Sequence, residues 1–507
     1  MKNTNGFFTL ILFFFLSISC STNNELISES SSVQTEQSSD YDWSTASTDE
    51  ITLNTTSIST TSANVTISGT VATITKAGQY TISGTLTSGQ IVVKVDTGTV
   101  KIRLNGVTMG NSTSSPFYIK KATKTIIFLA DGTTNSFTDA SNYSNSDEPN
   151  AAFFSNTYLA FTGTGTLNVT GNYNDAISSD DQIVINSGVI TVTAKDDGIR
   201  GKDYLKIDGG TIKSTAGTGH AIKSDNDADA GYGYIVINGG NLNLSSKSKD
   251  GIHAKKRVII NDGTISIAAP SSQGIKADSS VVVNNGTINV SSSYEGIESF
   301  VIKINGGVSN ILATNDGLNA TAGTVAGGTE SKDGSYIYIN GGAVNISASN
   351  GDGIDSNGNV LMTGGTVSVH GPSSSPEVAI DYNGTFNITG GTLVAAGPNS
   401  GNMIQGVSTS SSQCSLKILF NSNVSAGTLF HLQDSNGNDL MTFKPSRAYY
   451  YVVFYSAALV NGSADLIYTG GTCTGTLSNG LYTGGTYSGG TLKKTVTLSS
   501  GVTSVSL

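Results

Sequence analysis

Hydrophobic positions along the middle of this chain recur with a long period that neither a helix nor a simple hairpin sheet produces. A small residue followed by Ile or Leu, usually preceded by Asp or another polar residue, appears as Asp175-Ala-Ile177, Asp197-Gly-Ile199, His220-Ala-Ile222, Asp250-Gly-Ile252 and Gln273-Gly-Ile275. It continues as Glu295-Gly-Ile297, Asp316-Gly-Leu318, Asp352-Gly-Ile354 and Val378-Ala-Ile380. The aliphatic members lie 22, 23, 30, 23, 22, 21, 36 and 26 residues apart, and the irregular intervals coincide with insertions near 225–233 and 321–335. About ten residues after each comes an aliphatic residue, then Asn, Asp or Thr, then Gly two places on, as in Ile237-Asn238 and Ile260-Asn261. Short alternating segments such as Thr287-Ile-Asn-Val290 follow, the period-two pattern of strands.

Such a repeat predicts an all-β chain: a right-handed parallel β-helix of about 22 residues per coil, its coils stacked ~4.8 Å apart with Ile and Val columns inside. Glycine fits bends too tight for a side chain, and Asn or Asp at a bend bonds nearby backbone and stacks on its counterpart. A propeller needs blades of about forty residues, and a sandwich does not repeat aligned columns. The repeat places the solenoid over 51–401. Residues 402–507, where Tyr449, Tyr450, Tyr451, Phe454 and Tyr455 cluster, read as a β-rich C-terminal cap that closes the exposed core.

Composition agrees and narrows the classes. The 507 residues include 61 glycines, more than the ~7% usual in proteins, and only 13% are charged. A net charge of −10 excludes the overall basic surface of a nucleic-acid binder. Cys20, Cys414 and Cys473 make neither a disulfide framework nor a zinc spacing. Lys2, the apolar run Phe7 to Ile18, and Ser19 before Cys20 resemble the lipobox of a bacterial lipoprotein. Residues 1–20 are thus expected to be a signal peptide ending at an acylated Cys20, with the membrane engaged through that lipid alone. Residues 21–50 contain no Lys or Arg and read as a Ser/Thr-rich disordered tether. The expected location is the outer membrane or cell surface.

Stacking turns equivalent positions into columns. Two residues before the inward aliphatic stand Asp175, Asp197, His220, Asp250, Gln273, Glu295, Asp316, Asp352 and Val378. Just after it stand Ser178, Arg200, Lys223, His253, Lys276, Glu298, Asn319, Asp355 and Asp381, basic at first and then acidic or amide. Carboxylates one rung apart repel unless a cation intervenes, and Ca²⁺ with oxygen ligands is the natural one. The candidate ligands are Asp197 and Asp250, the loop Asp225, Asp227 and Asp229, and the group Asp316, Asn319, Asp352, Asp355, Asn357 and Asp381. Asp and Asn also favour ordinary solvated turns, which is the competing explanation. The basic column either balances neighbouring acids or pairs with carboxylates of an extended anionic polymer. Arg200, Lys223, His253, Lys276 and Glu298, with Tyr232 and Tyr294 for ring stacking, are the candidate carbohydrate contacts.

Asp197-Gly-Ile-Arg200-Gly-Lys202, Lys223-Ser-Asp225-Asn-Asp227-Ala-Asp229, Asp250-Gly-Ile-His253-Ala and Asp352-Gly-Ile-Asp355-Ser-Asn357-Gly resemble the bacterial carbohydrate-binding β-helix family first recognised among cellulolytic clostridia. The likeness spans about 51–400 and includes Lys76-Ala-Gly-Gln-Tyr80-Thr-Ile-Ser-Gly84. It implies a polysaccharide-lyase-like fold, bound calcium, and binding of cellulose or acidic sugar polymers rather than catalysis. The coil at His220 lacks the family's Asp-Gly. A non-catalytic polysaccharide binder is therefore the first reading. A calcium-dependent lyase, with Arg200, Lys223 or Lys276 as base, is the second, and a structural adhesin the third.

Overall fold

Each repeat supplies three short alternating segments rich in Ile, Val and Thr, and β-branched side chains suit a pleated, half-buried surface. In the computed structural model the described residues are 36–43, 48–144, 149–323, 331–411 and 413–507, all within the unit Gln34–Leu507. Cys20 and its signal peptide lie outside the described residues. The three segments of each repeat stack on their equivalents in the next and form three parallel sheets, A, B and C, of one parallel β-helix. Sheet A is built from three-residue strands such as Ile199–Gly201, Ile222–Ser224, Ile252–Ala254, Leu318–Ala320 and Ile354–Ser356. Sheet B contains Tyr204–Ile207, Tyr234–Ile237, Arg257–Ile260 and Tyr336–Ile339. Sheet C contains Thr211–Ala216, Asn241–Ser246, Thr264–Ala269 and Ala343–Ala348.

Register in sheet A follows the sequence columns. Ile177, Ile199, Ile222, Ile252, Ile275, Ile297, Leu318, Ile354 and Ile380 pair in succession, and all are buried. The next position runs Arg200, Lys223, His253, Lys276, Glu298, Asn319, Asp355, Asp381, one residue per rung. Both insertions fall between a strand of sheet A and the next of sheet B, and the register continues across them.

The bends hold the coils in two ways. At the A-strand entry backbone and side chains approach so closely that a Cβ on Gly251 would lie 2.3 Å from Ile267 Cγ2 and 2.8 Å from Gly274 O. At the B-to-C bend an amide ladder runs along the stack. Asn238 donates to Asp208 (2.6 Å), Asn261 to Asn238, Asn284 to Asn261 and Asn305 to Asn284 (2.7 Å each), and Asn340 to Asn305 (2.8 Å). These side chains bond their counterparts one rung away rather than only their own turn.

Both ends of the stack are closed by antiparallel pairing, which removes the edges of parallel sheets as docking templates. Asp49–Thr55 pairs antiparallel with Ser57–Thr60 at the start. At the far end Thr392–Gly397 pairs antiparallel with Tyr449–Ser456, and the Tyr451 hydroxyl accepts from the Ala379 N–H at 2.6 Å. Beyond it Phe430–Gln433, Asp439–Phe443, Ala464–Cys473, Thr476–Ser478, Leu481–Thr483 and Tyr487–Thr497 form a separate six-stranded sheet. Cys414 and Cys473 are both free thiols.

The tether expected over 21–50 does not extend that far. Ser38–Tyr41 is a 3₁₀ turn, and Lys124 pairs with Asp40 at 2.8 Å with both side chains about nine-tenths buried. Lys206 pairs with Glu36 at 2.6 Å, and Trp43 packs edge-on against Phe128. Low hydrophobicity hides this docking because charge pairing and one indole supply it.

If close approach at the bends sets the coil spacing, Gly251→Ala lowers stability by ~1–3 kcal/mol in urea unfolding. Gly231→Ala, where a Cβ meets nothing within 4 Å, stays within about 0.5 kcal/mol of wild type. Equal effects at the two sites would contradict this.

Candidate functional site

The repeated Asp before Gly-Ile is first a structural residue. One oxygen of each accepts the main-chain N–H of its counterpart in the next coil. Asp175 accepts from Asp197 (3.1 Å), Asp197 from His220 (2.7 Å) and Asp250 from Gln273 (3.2 Å). Asp316 accepts from Asp352 (2.7 Å) and Asp352 from Val378 (2.6 Å). All five are buried, so they are not solvated turn residues. The second oxygen of Asp197 and that of Asp250 face the outward column, and the two halves of the stack surround the Asp column differently.

In the first half it meets cations. Lys223 pairs with Asp197 at 2.9 Å and with Asp225 at 3.2 Å, and Arg200 pairs with Asp225 at 3.0 Å. Burial would raise the Asp225 carboxyl, but Arg200 and Lys223 outweigh it and hold the group below its ordinary range. The structure does not bring the three carboxylates of the expected calcium loop together. Asp225 turns to the basic column, Asp227 is exposed, and Asp229 accepts from Asn226 at 3.0 Å. Asn226 organises the loop instead, its amide oxygen accepting from the Ala228 and Asp229 N–H groups at 3.1 Å each. Tyr232 lies beside this loop, half-buried. Asp250 meets His220 and His253 rather than another carboxylate.

In the second half carboxylates crowd one another, with Lys276 paired to Glu298 and Gln405 donating to Asp381 at 2.5 Å. Asp316, Asn319, Asp352, Asp355, Asn357 and Asp381 line one cleft of about 840 Å³, together with Lys276, Tyr294, Glu295, Glu298 and Glu377. Oxygens of Asp352, Asp355 and Asp381 lie within 4.8 Å of one another. Burial, followed by neighbouring carboxylates, raises Asp352 to about 8 and Asp355 to about 9. Burial together with Glu377 and Asp381 raises Asp316 to about 6, against the Asp352 N–H that lowers it. Burial and Glu298 likewise raise Glu295. The Asn319 side-chain oxygen is buried among these groups with no hydrogen-bond donor. Lys276 is the cleft's base, and Glu298, 2.9 Å away, holds it above its ordinary value despite burial. Rich in carboxylate and amide oxygens, this cluster has the donor chemistry of a hard metal-ion site.

The structure thus gathers six of the eleven metal candidates and three of the seven carbohydrate candidates, Lys276, Glu298 and Tyr294, in one cleft. Glu295 and Glu377 were missed as ligand-set members. Glu295 stands in the Asp column and was legible there, whereas Glu377 lies one place before the column position that Val378 holds. Tyr204 and Tyr234 stack on each other in sheet B, at 5.0 Å between rings, away from this cleft.

A parallel β-helix with a polar, acidic cleft along one sheet is the class of protein that fold and site define. Residues 68–317 match the family described as carbohydrate-binding domain-containing protein. A relative with the same description from Acetivibrio thermocellus is 41% identical over 126 residues, 24% of this chain. The chain spans 44% of that relative's length. A solved polysaccharide lyase-like protein from C. thermocellum is 31% identical, over 48% of this chain and 97% of that one, with a TM-score of 0.45.

The raised carboxyls fix a sign for stability. Asp352 and Asp355 keep protons in the folded state that the unfolded chain releases near pH 3.9. Their contribution is therefore full below about pH 4 and is lost as pH rises through 8 to 9. In chelator, Asp355→Asn should raise the melting temperature at pH 8 and leave it nearly unchanged at pH 4. A drop at pH 8 would mean that Asp355 is stabilised as a carboxylate by a partner within the protein.

Proposed function

We propose that this protein is a non-catalytic, calcium-dependent polysaccharide-binding protein, exported and lipid-anchored at Cys20, that recognises acidic (uronate) or cellulosic glycans along sheet A. The observation that carries the reading is the acidic half of the outward column. Asp316, Asp352, Asp355 and Asp381 stand close together, and burial raises the cost of leaving them charged. A Ca²⁺ ion there would bind six to eight oxygens, and Asn319 and Asn357 add neutral ones to the carboxylates. Ligand positions left open on the solvent side suit a carboxylate or hydroxyl pair from a sugar. Tyr294, 47% exposed at the rim, offers a ring face for a pyranose, and Lys276 offers a charge beside it.

The lyase reading requires a cationic side chain that gives up its proton beside the metal. Lys276 is held charged by Glu298, while Arg200 and Lys223 are engaged by Asp225 and Asp197 in the other half of the stack. This favours binding over elimination. The adhesin reading would leave the cleft without a role.

Retention on pectate and on cellulose, with and without chelator, tests the reading. We expect retention that needs Ca²⁺ and weakens at least about tenfold in Asp352→Asn and Asp355→Asn, with no rise in ultraviolet absorbance from unsaturated products. Calcium-independent retention would overturn the ion-bridge reading, and product formation would establish the lyase instead.

A further inference from the structure

The 507 residues contain four histidines, and two of them meet at one buried carboxylate in the basic half of the stack. His220 occupies the column that holds Asp in the coils before and after it, so its ring lies one rung from Asp250. His253, three residues after Asp250, comes from the outward column. The two rings stack at 4.3 Å between centroids. Their Nδ1 atoms lie 3.4 Å (His220) and 2.8 Å (His253) from the same oxygen, Asp250 Oδ2. The other oxygen, Oδ1, accepts from Ser272 Oγ at 2.5 Å and from the Gln273 N–H at 3.2 Å, which fixes the carboxylate and leaves Oδ2 to the imidazoles.

The hydrogen bonds show which donor atoms a metal ion would take over. His220 Nδ1 accepts from the Asp250 main-chain N–H at 3.2 Å, so it presents a lone pair rather than a proton. Asp250 Oδ2, 3.4 Å away, is a second electron-rich atom on the same side. The three donor atoms lie within 4.8 Å of one another, so a cation drawn between them replaces the N–H···N bond at His220 and the His253–Asp250 hydrogen bond with metal bonds. Two imidazole nitrogens and one carboxylate oxygen are the borderline donor set that prefers Zn²⁺ and its neighbours to Ca²⁺. Donors on one tetrahedral zinc at about 2.0–2.1 Å lie roughly 3.3 Å from each other, so the His220 separation already fits and a small rotation of His253 admits the ion. Competing cations are accounted for, because Lys223 pairs with Asp197 and Asp225, and Lys276 with Glu298.

We propose that His220, Asp250 and His253 form a second metal site, selective for a borderline divalent transition ion such as Zn²⁺ and distinct from the carboxylate cleft. Both histidine side chains retain some exposure, 12% and 19%, on the face that carries the outward column. A fourth ligand position therefore opens toward that face, where water or a sugar oxygen completes the set. The other two histidines do not compete. His370 contacts the Ser446 N–H and Asn479 O, and His431 is buried against Thr442.

Equilibrium dialysis of the untagged full chain against Zn²⁺ in millimolar Ca²⁺ tests this. The expected result is one Zn²⁺ per chain, with affinity at least about tenfold weaker in His220→Asn and in His253→Gln and unchanged in Asp355→Asn. Zinc retention that both histidine variants share with wild type would overturn the proposal, as would no retention at all. Because either variant could misfold, Cu²⁺ electron paramagnetic resonance on the wild-type chain provides a second readout. Superhyperfine splitting from two nitrogens is expected, and a spectrum from oxygen donors alone would contradict the site.

Discussion

In-register parallel stacking is the constraint from which the rest of this molecule follows. Each coil places its side chains directly over those of the coil before it, about 4.8 Å away. Apolar columns gain from this, since every Ile buries against another Ile, and amide columns gain because each Asn donates to the next. Charged columns lose, because like charges one rung apart repel. Whatever stands at an outward position in several successive coils must come with an answer to that repulsion, and the answers chosen here mark out the functional face.

Three answers appear along sheet A. At Asp197 the outward Lys223 pairs with the Asp column, and Asp225 joins Arg200 and Lys223 from its loop, whereas burial and Asp197 raise Asp175 to about 8. At Asp250 two imidazoles replace the amines. From Glu295 to Asp381 the acids crowd one another, burial raises Glu295, Asp316, Asp352 and Asp355, and the Asn319 side-chain oxygen has no donor. The same backbone thus carries a self-neutralised stretch and an anionic stretch side by side. The Asp-Gly-Ile signature explains how both keep one geometry: an Asp oxygen bonds the next coil's N–H wherever that Asp occurs, whatever the other oxygen does.

The fold was legible because its signal is a period, and every column read from spacing matches the strand register, including across both insertions. The anionic group around Asp316, Asp352, Asp355 and Asp381 was legible for the same reason. Asp225, Asp227 and Asp229 misled because alternation of acids in a loop carries no information about what faces it. Arg200 lies 25 residues away in sequence yet beside Asp225 in space. Glu377 was invisible because it stands in neither column, one place before Val378, and the docking of Glu36, Asp40 and Trp43 because a polar segment held by ion pairs has the composition of a free one.

The central claim is that the unneutralised half of the column exists to hold a hard cation that a glycan then shares. An anomalous difference map at long wavelength, from crystals soaked in calcium, tests this most directly. A peak bonded by oxygens of Asp352, Asp355 and Asp381 at about 2.3–2.6 Å is predicted. A cleft that stays without a peak at millimolar calcium, with Lys276 swung in to neutralise the acids, would contradict it.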